Sequence, residues 1–122
     1  MDTTPPLMDI ERSGTTLVLI PRRDLSELDW LEIERIQREA LQELELSPSL
    51  RDVIVDFSRT DYFGSSALGL LTRIRKHVGI RGGRMALCGV SAHEQDILAV
   101  TGLAGFWTLY PSREEAIQAL GG

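Results

Sequence analysis

The chain is poor in cysteine, and it lacks both a long apolar run and an excess of basic charge. Cys88 is the only cysteine among 122 residues. It can form no internal disulfide, and it has no thiol partner with which to build a metal cluster. That agrees with a reducing compartment, and a cytoplasmic location is expected. No apolar run approaches the length needed to cross a bilayer, so no direct membrane insertion is expected. The opening residues, MDTTPPLMD, hold no basic region followed by an apolar stretch, so no secretory signal is expected. The net charge of −5 argues against general nucleic-acid binding, because phosphate contacts need a basic surface.

What is present fits one ordinary domain. Hydrophobic residues make up 43% and charged residues 25%, enough for a normal core. A length of 122 residues suits a single unit. The prolines and threonines at the start suggest a flexible arm over residues 1–6, leaving 7–122 for the domain. The charge is unevenly placed. Asp24 to Leu46 holds eight acidic residues and two arginines, whereas Arg73 to Arg84 holds five basic residues and no acidic ones. Such asymmetry can steer a partner, or it can mark two solvated helix faces.

Periodicity supplies the elements. Met8 to Arg12 alternates as a strand, Ser13 and Gly14 turn, and Thr16 to Ile20 reads as the second strand of a hairpin. Pro21 ends it, because proline donates no N–H to a ladder. Ser26 is expected to cap a first helix, with Asp29 three residues on as an acidic near-match to a capping box. Ile33, Ile36, Ala40 and Leu44 follow at helical spacing, with Leu41 widening the stripe. Glu34 and Arg38 are spaced for an i,i+4 pair, and Ser47-Pro48 stops the helix. Val53 to Phe57 is an apolar run interrupted only by Asp56, as in a strand covered on both faces. Ser65 to Val78 reads as a second helix, and Arg84 to Gly89 as a strand. Ser91 starts a third helix, for which Gly102 is a natural C′ residue. Phe106 to Tyr110 reads as a short strand, and Pro111-Ser112 begins a last helix to Leu120. The order β-β-α-β-α-β-α-β-α with short connections implies one sheet covered by helices.

Catalytic constellations are largely absent. His77 and His93 have no metal-ligand partner at helical spacing. Cys88 lies in an apolar strand, where a small buried thiol is the ordinary reading. No GxxxxGK[ST] loop is present, and Gly79 to Gly83 leads into a strand rather than a helix. No metal, cofactor or enzymatic activity is expected. The informative segment is DVIVDFSRTDYFGSSALGLL, residues 52 to 71. A buried strand ends in a polar turn, and Ser65 and Ser66 open a helix. The unpaired N–H groups and positive dipole end there would accept a phosphate on Ser65 without melting the helix. On these residues alone, the plain N-cap is the favoured reading of Ser65.

The chain resembles the STAS domain family, named for sulfate transporters and anti-sigma-factor antagonists. The resemblance covers nearly the whole chain and rests on several short motifs in order. VIVDFS followed by GSSALGLL is similar to the family's strand and its Asp-Ser-Ser/Thr-Gly-Leu-Gly helix opening. GGRMALCGVS resembles its Gly-Gly-Arg strand and turn. ILAVTGLAGFWTLYPSREEAIQAL resembles its Thr-Gly-Leu, short strand and acidic final helix. IPRRD resembles its Gly-x-x-Asp turn, which carries Asp24 to the matching position.

The resemblance implies a single α/β domain with a mixed sheet of about five strands and four helices. It implies an anti-sigma-factor antagonist that regulates transcription indirectly. The implied partners are an anti-sigma factor that is also a serine kinase, which phosphorylates the antagonist and so weakens the complex, and a phosphatase that restores it. Ser65 matches the acceptor, with Ser66 the second choice. The implied partner surface comprises Asp24, Asp61, Tyr62, Gly64, Ser65, Ser66 and Leu68, with Tyr62 or Leu68 as apolar anchor. Two positions depart from the pattern: Gly64 stands where the family has Asp, and Ala67 where it has Gly. The alternative that Gly64 favours is a constitutive adaptor of the same fold, not phosphorylated, in a signalling assembly or a lipid-transport complex.

Overall fold

The structure is a computed structural model that describes residues 7–22, 29–60 and 65–121; for Ser65 and Ser66 it describes the backbone only. The arm expected over residues 1–6 lies outside the described residues. The elements follow the expected order: β1 Met8–Ser13, β2 Thr16–Pro21, α1 Trp30–Leu46, β3 Asp52–Asp56, α2 Ser65–Ile80, β4 Met85–Cys88, α3 Ala92–Val100, β5 Thr108–Tyr110 and α4 Arg113–Leu120. They form one five-stranded sheet in the order β1-β2-β3-β4-β5. β1 pairs antiparallel with β2 through the hairpin, while β2 to β5 are mutually parallel. Gly14 turns the hairpin at φ 59°, a conformation that costs glycine little. Each parallel connection needs a crossover, and a helix supplies each one.

Alternation along the strands explains why they read as unbroken apolar runs. Leu17 and Leu19 of β2 join one core cluster, whereas Val18 and Ile20 join another. Val53 and Val55 of β3 separate from Ile54 in the same way. The sheet is therefore covered on both faces. On the larger face, α1 buries Ile33, Ile36, Ala40 and Leu44, and α2 buries Ala67, Leu70, Leu71, Ile74 and Val78. α3 adds Leu98 to that cluster. On the other face α4 lays Ala116 and Leu120 over Val18, Ile20, Ile54, Ala86 and Cys88. Truncating a fully buried side chain such as Leu71 to alanine would cost about 2–5 kcal/mol.

Three local expectations shift. α1 begins at Trp30, and its capping box is Asp29 with Glu32. Asp29 Oδ1 accepts from the Glu32 N–H at 2.8 Å, and the Glu32 carboxylate accepts from the Asp29 N–H at 3.2 Å. Asp caps as well as Ser, and the longer Glu can reach back as the box requires. The expected cap Ser26 lies outside the described residues. The ion pair on α1 is Arg35–Glu39 at 3.2 Å, a different pair from the Glu34–Arg38 expected. β5 starts at Thr108 because the Phe106 N–H is engaged with the Leu103 carbonyl in a turn at 3.0 Å. At the other helix ends the sequence cues hold. Ser91 caps α3, Ser112 caps α4, and Gly102 follows α3 at φ 77°.

Candidate functional site

Because β2 to β5 are parallel, their C-terminal ends share one edge of the sheet. Each helix follows a strand and runs back, so α1, α2, α3 and α4 all begin at that edge, at Trp30, Ser65, Ala92 and Arg113. Helix starts carry unpaired N–H groups and the positive end of the dipole. The edge is thus suited to negative charge.

The expected acceptor residues open α2: Ser65 and Ser66 are its first two residues. Asp24, Asp61, Tyr62 and Gly64 lie outside the described residues. Leu68 is half-buried and packs against the main core, so only part of it faces outward. Its carbonyl accepts the Thr72 hydroxyl at 2.8 Å. Ala67 is fully buried, and its methyl packs within the main core rather than at the surface. The departure from the family's Gly at this position is therefore absorbed by packing.

The strand that leads to α2 is anchored at its end by Asp56, the residue that breaks the apolar run of β3. Asp56 Oδ1 accepts from the Ser58 N–H at 2.9 Å, and Oδ2 accepts from Arg113 Nε at 3.0 Å. Arg113, the first residue of α4, also donates to Glu11 on β1. Burial by itself would raise the Asp56 carboxyl. Hydrogen bonds from Ser58 and the Arg113 guanidinium outweigh it and hold the group below its ordinary value. Burial likewise works against the Arg113 charge, and Asp56 and Glu11 overcome it. The network ties both the first turn after β3 and the start of α4 to one carboxylate.

Gly89 completes this corner. It follows β4 at φ 67°, and a Cβ there would meet Ser58 N at 2.9 Å and Asp56 Oδ1 at 3.3 Å. Only a glycine lets the turn lie against Ser58 in this conformation. Cys88, one residue earlier, is buried opposite Asp56. Burial first, and then the Asp56 charge, push its thiol up to about 12. A thiol so placed is not a nucleophile at neutral pH. Among the described residues no group of His, Cys, Asp and Glu could hold a metal, and no helix is long and apolar enough to cross a membrane.

One feature at this edge was not foreseen from the sequence. Trp30 and Leu31 at the start of α1 are 67% and 69% exposed. They stand outside the Ile33–Ile36–Ala40–Leu44 stripe, and that offset was the available signal. Tryptophan is among the side chains enriched at protein-binding hot spots.

Comparison with known proteins assigns the family. The STAS domain model matches residues 9–116, and the chain belongs to this family. Among solved structures it is similar to an anti-sigma-factor antagonist (STAS) domain protein from Planctomyces limnophilus, at 27% identity and a TM-score of 0.80, covering 94% of this chain and 98% of that one. It is also similar to the Bacillus cell-fate determinant SpoIIAA in its phosphorylated form, at 23% identity and a TM-score of 0.67, covering 92% and 97%. RsbS of Moorella thermoacetica matches at 14% identity and a TM-score of 0.79, covering 93% and 94%. The last two likenesses speak for the fold alone. No curated protein matches the chain by sequence.

Proposed function

We propose that this domain is an anti-sigma-factor antagonist that binds an anti-sigma factor acting as its serine kinase, and that phosphorylation of Ser65 releases the complex. The observation that supports this best is the position of Ser65 as the first residue of α2, on the edge where the helices begin. A phosphate there carries about −1.5 to −2 charges and meets a helix N-terminus, so the fold tolerates it. A partner covering the same edge must desolvate that charge, which is costly unless a cation meets it. A phosphatase would reverse the modification. The domain itself acts by binding and has no turnover of its own, in line with the regulatory relatives the fold resembles. It works in the cytoplasm.

The binding surface comprises Asp24, Asp61, Tyr62, Gly64, Ser65, Ser66 and the outer part of Leu68. Trp30 and Leu31 extend it across the start of α1. The test is to recover the protein with its bound partner from native lysate, add ATP, and map phosphates by mass spectrometry. Phosphate at Ser65 with release of the partner supports the switch. A tight complex that ATP leaves unmodified would instead make the domain a constitutive adaptor in a signalling assembly or a lipid-transport complex. Gly64, standing in place of the family's Asp, is the observation that favours this second reading.

A further inference from the structure

The edge opposite Ser65 carries a separate cleft. It lies between the C-terminal half of α2 and the starts of β4 and β5, and encloses about 370 Å³. That volume falls within the range of small-ligand pockets. Lys76 is roughly 16 Å along the helix from Ser65 by helical rise. Arg75, Lys76 and Arg84 line the cleft, and no carboxylate does. Arg84 is partly neutralised, because it pairs with buried Asp52 at 3.2 Å and donates to the Leu120 carbonyl. Arg75 and Lys76 have no carboxylate partner among the described residues. Arg75 is held in place: its Nε donates to the Phe106 carbonyl at 2.7 Å, and its guanidinium lies 5.0 Å from the Phe106 ring centroid. Its other N–H groups have no acceptor among the described residues. Lys76 makes no hydrogen bond or ion pair among them.

Two further observations describe the wall of the cleft. Trp107, part of the same wall, is 4% exposed, and its indole N–H is buried without an acceptor among the described residues. Two of the carbonyls at the end of α2, which would repel an anion, are occupied. The Val78 carbonyl accepts from the Gly83 N–H at 2.9 Å, and the Gly79 carbonyl from the Gly82 N–H at 3.0 Å. Val78 and Met85 give the cleft an apolar part.

We propose that this cleft binds a small organic oxyanion of the phosphate-monoester class. Arg75 and Lys76 meet the charge, and the apolar wall takes the organic group. Gly79 and Gly105 leave it open, since a Cβ at either would meet nothing within 4 Å.

The test uses phenyl phosphate as probe and the indole N–H resonances of the two tryptophans as reporters, in ¹⁵N-labelled full chain at constant ionic strength. The Trp107 resonance should move saturably, and that of Trp30 should not. Phenol should leave both in place. Lys76→Ala, at a surface position, should weaken binding about tenfold, as expected for losing one charge-assisted hydrogen bond. Gly105→Glu should abolish binding while the spectrum stays that of a folded protein. A Trp107 resonance that stays fixed, or one that moves linearly together with that of Trp30, overturns the proposal. So does an unchanged affinity in Lys76→Ala.

Discussion

Replacing Asp56 with alanine should destabilise the domain by about 3 kcal/mol, the lower end of the range for breaking a buried ion pair. The reasoning starts from exposure. The Asp56 side chain is 5% exposed and that of Arg113 is 26% exposed. Removing the carboxylate strands a guanidinium that is largely out of water. Glu11, itself 53% exposed, stays bonded to Arg113 and limits the loss. The Ser58 N–H also loses its acceptor, which adds to the cost. Asp56→Asn keeps the shape and the Ser58 contact and loses the charge, so it should cost less than alanine. Urea denaturation measures both: the midpoint should fall while the slope stays constant. In a double-mutant cycle, Asp56→Ala and Arg113→Ala should couple by about 1–3 kcal/mol, since they share one bond. The pH dependence has a definite sign. The folded-state pKa of Asp56 is lowered, so its contribution is fully present above the ordinary carboxylate pKa of about 4 and is lost as pH falls through the lowered value. The gap between the native protein and Asp56→Ala should therefore narrow in acid. A loss below about 1 kcal/mol, or a gap that does not change with acid, would refute the argument, since that is how a surface pair behaves.

Further outcomes are expected at other positions. Gly89→Ala and Gly102→Ala impose a similar left-handed backbone penalty of about 1–2 kcal/mol, but only Gly89 faces Ser58 and Asp56 closely, so Gly89→Ala should be clearly the worse in thermal melts. Cys88 should resist a thiol reagent at pH 8 in the folded protein and react once urea unfolds it. Its raised pKa also means that stability should decline as pH rises from about 9, the ordinary thiol value, toward 12, and Cys88→Ala should flatten that decline in alkaline melts. Trp30→Ala should leave the melting temperature nearly unchanged and weaken partner binding by at least tenfold in calorimetry, as for an anchor worth about 2 kcal/mol. Ser65→Asp should likewise weaken binding at unchanged stability, whereas Ser65→Ala should keep binding and block modification; equal affinities for the two variants would argue against the switch.

Features that depend on neighbours in the chain were legible in the sequence. The apolar stripes of α1 and α2, the doubly covered β3, the caps Ser91 and Ser112, and Gly102 after α3 all follow from local periodicity and backbone chemistry. The element order and the position of Ser65 at the opening of α2 followed from the same cues and from the short motifs around them. Even here, one local signal was assigned to the wrong residue. Ser26 was expected as the cap with Asp29 as its box partner, whereas the reciprocal bond with Glu32 makes Asp29 itself the cap of the described helix.

Only the tertiary structure decided what joins distant residues. Asp56 was visible as a polar break in an apolar strand, but its partner Arg113 lies 57 positions away, beyond the reach of any local pattern. Nothing near Gly89 in the chain announces that Ser58 and Asp56 occupy the space its side chain would need. The exposure of Trp30 depends on how α1 is rotated against the sheet, and periodicity fixes that rotation only through the residues that go inward. The cleft holding Arg75, Lys76 and Trp107 arises where α2 ends over the starts of β4 and β5. Periodicity sets which face of an element is apolar. Which faces meet, and which polar groups are left between them, is set by packing across the whole sheet.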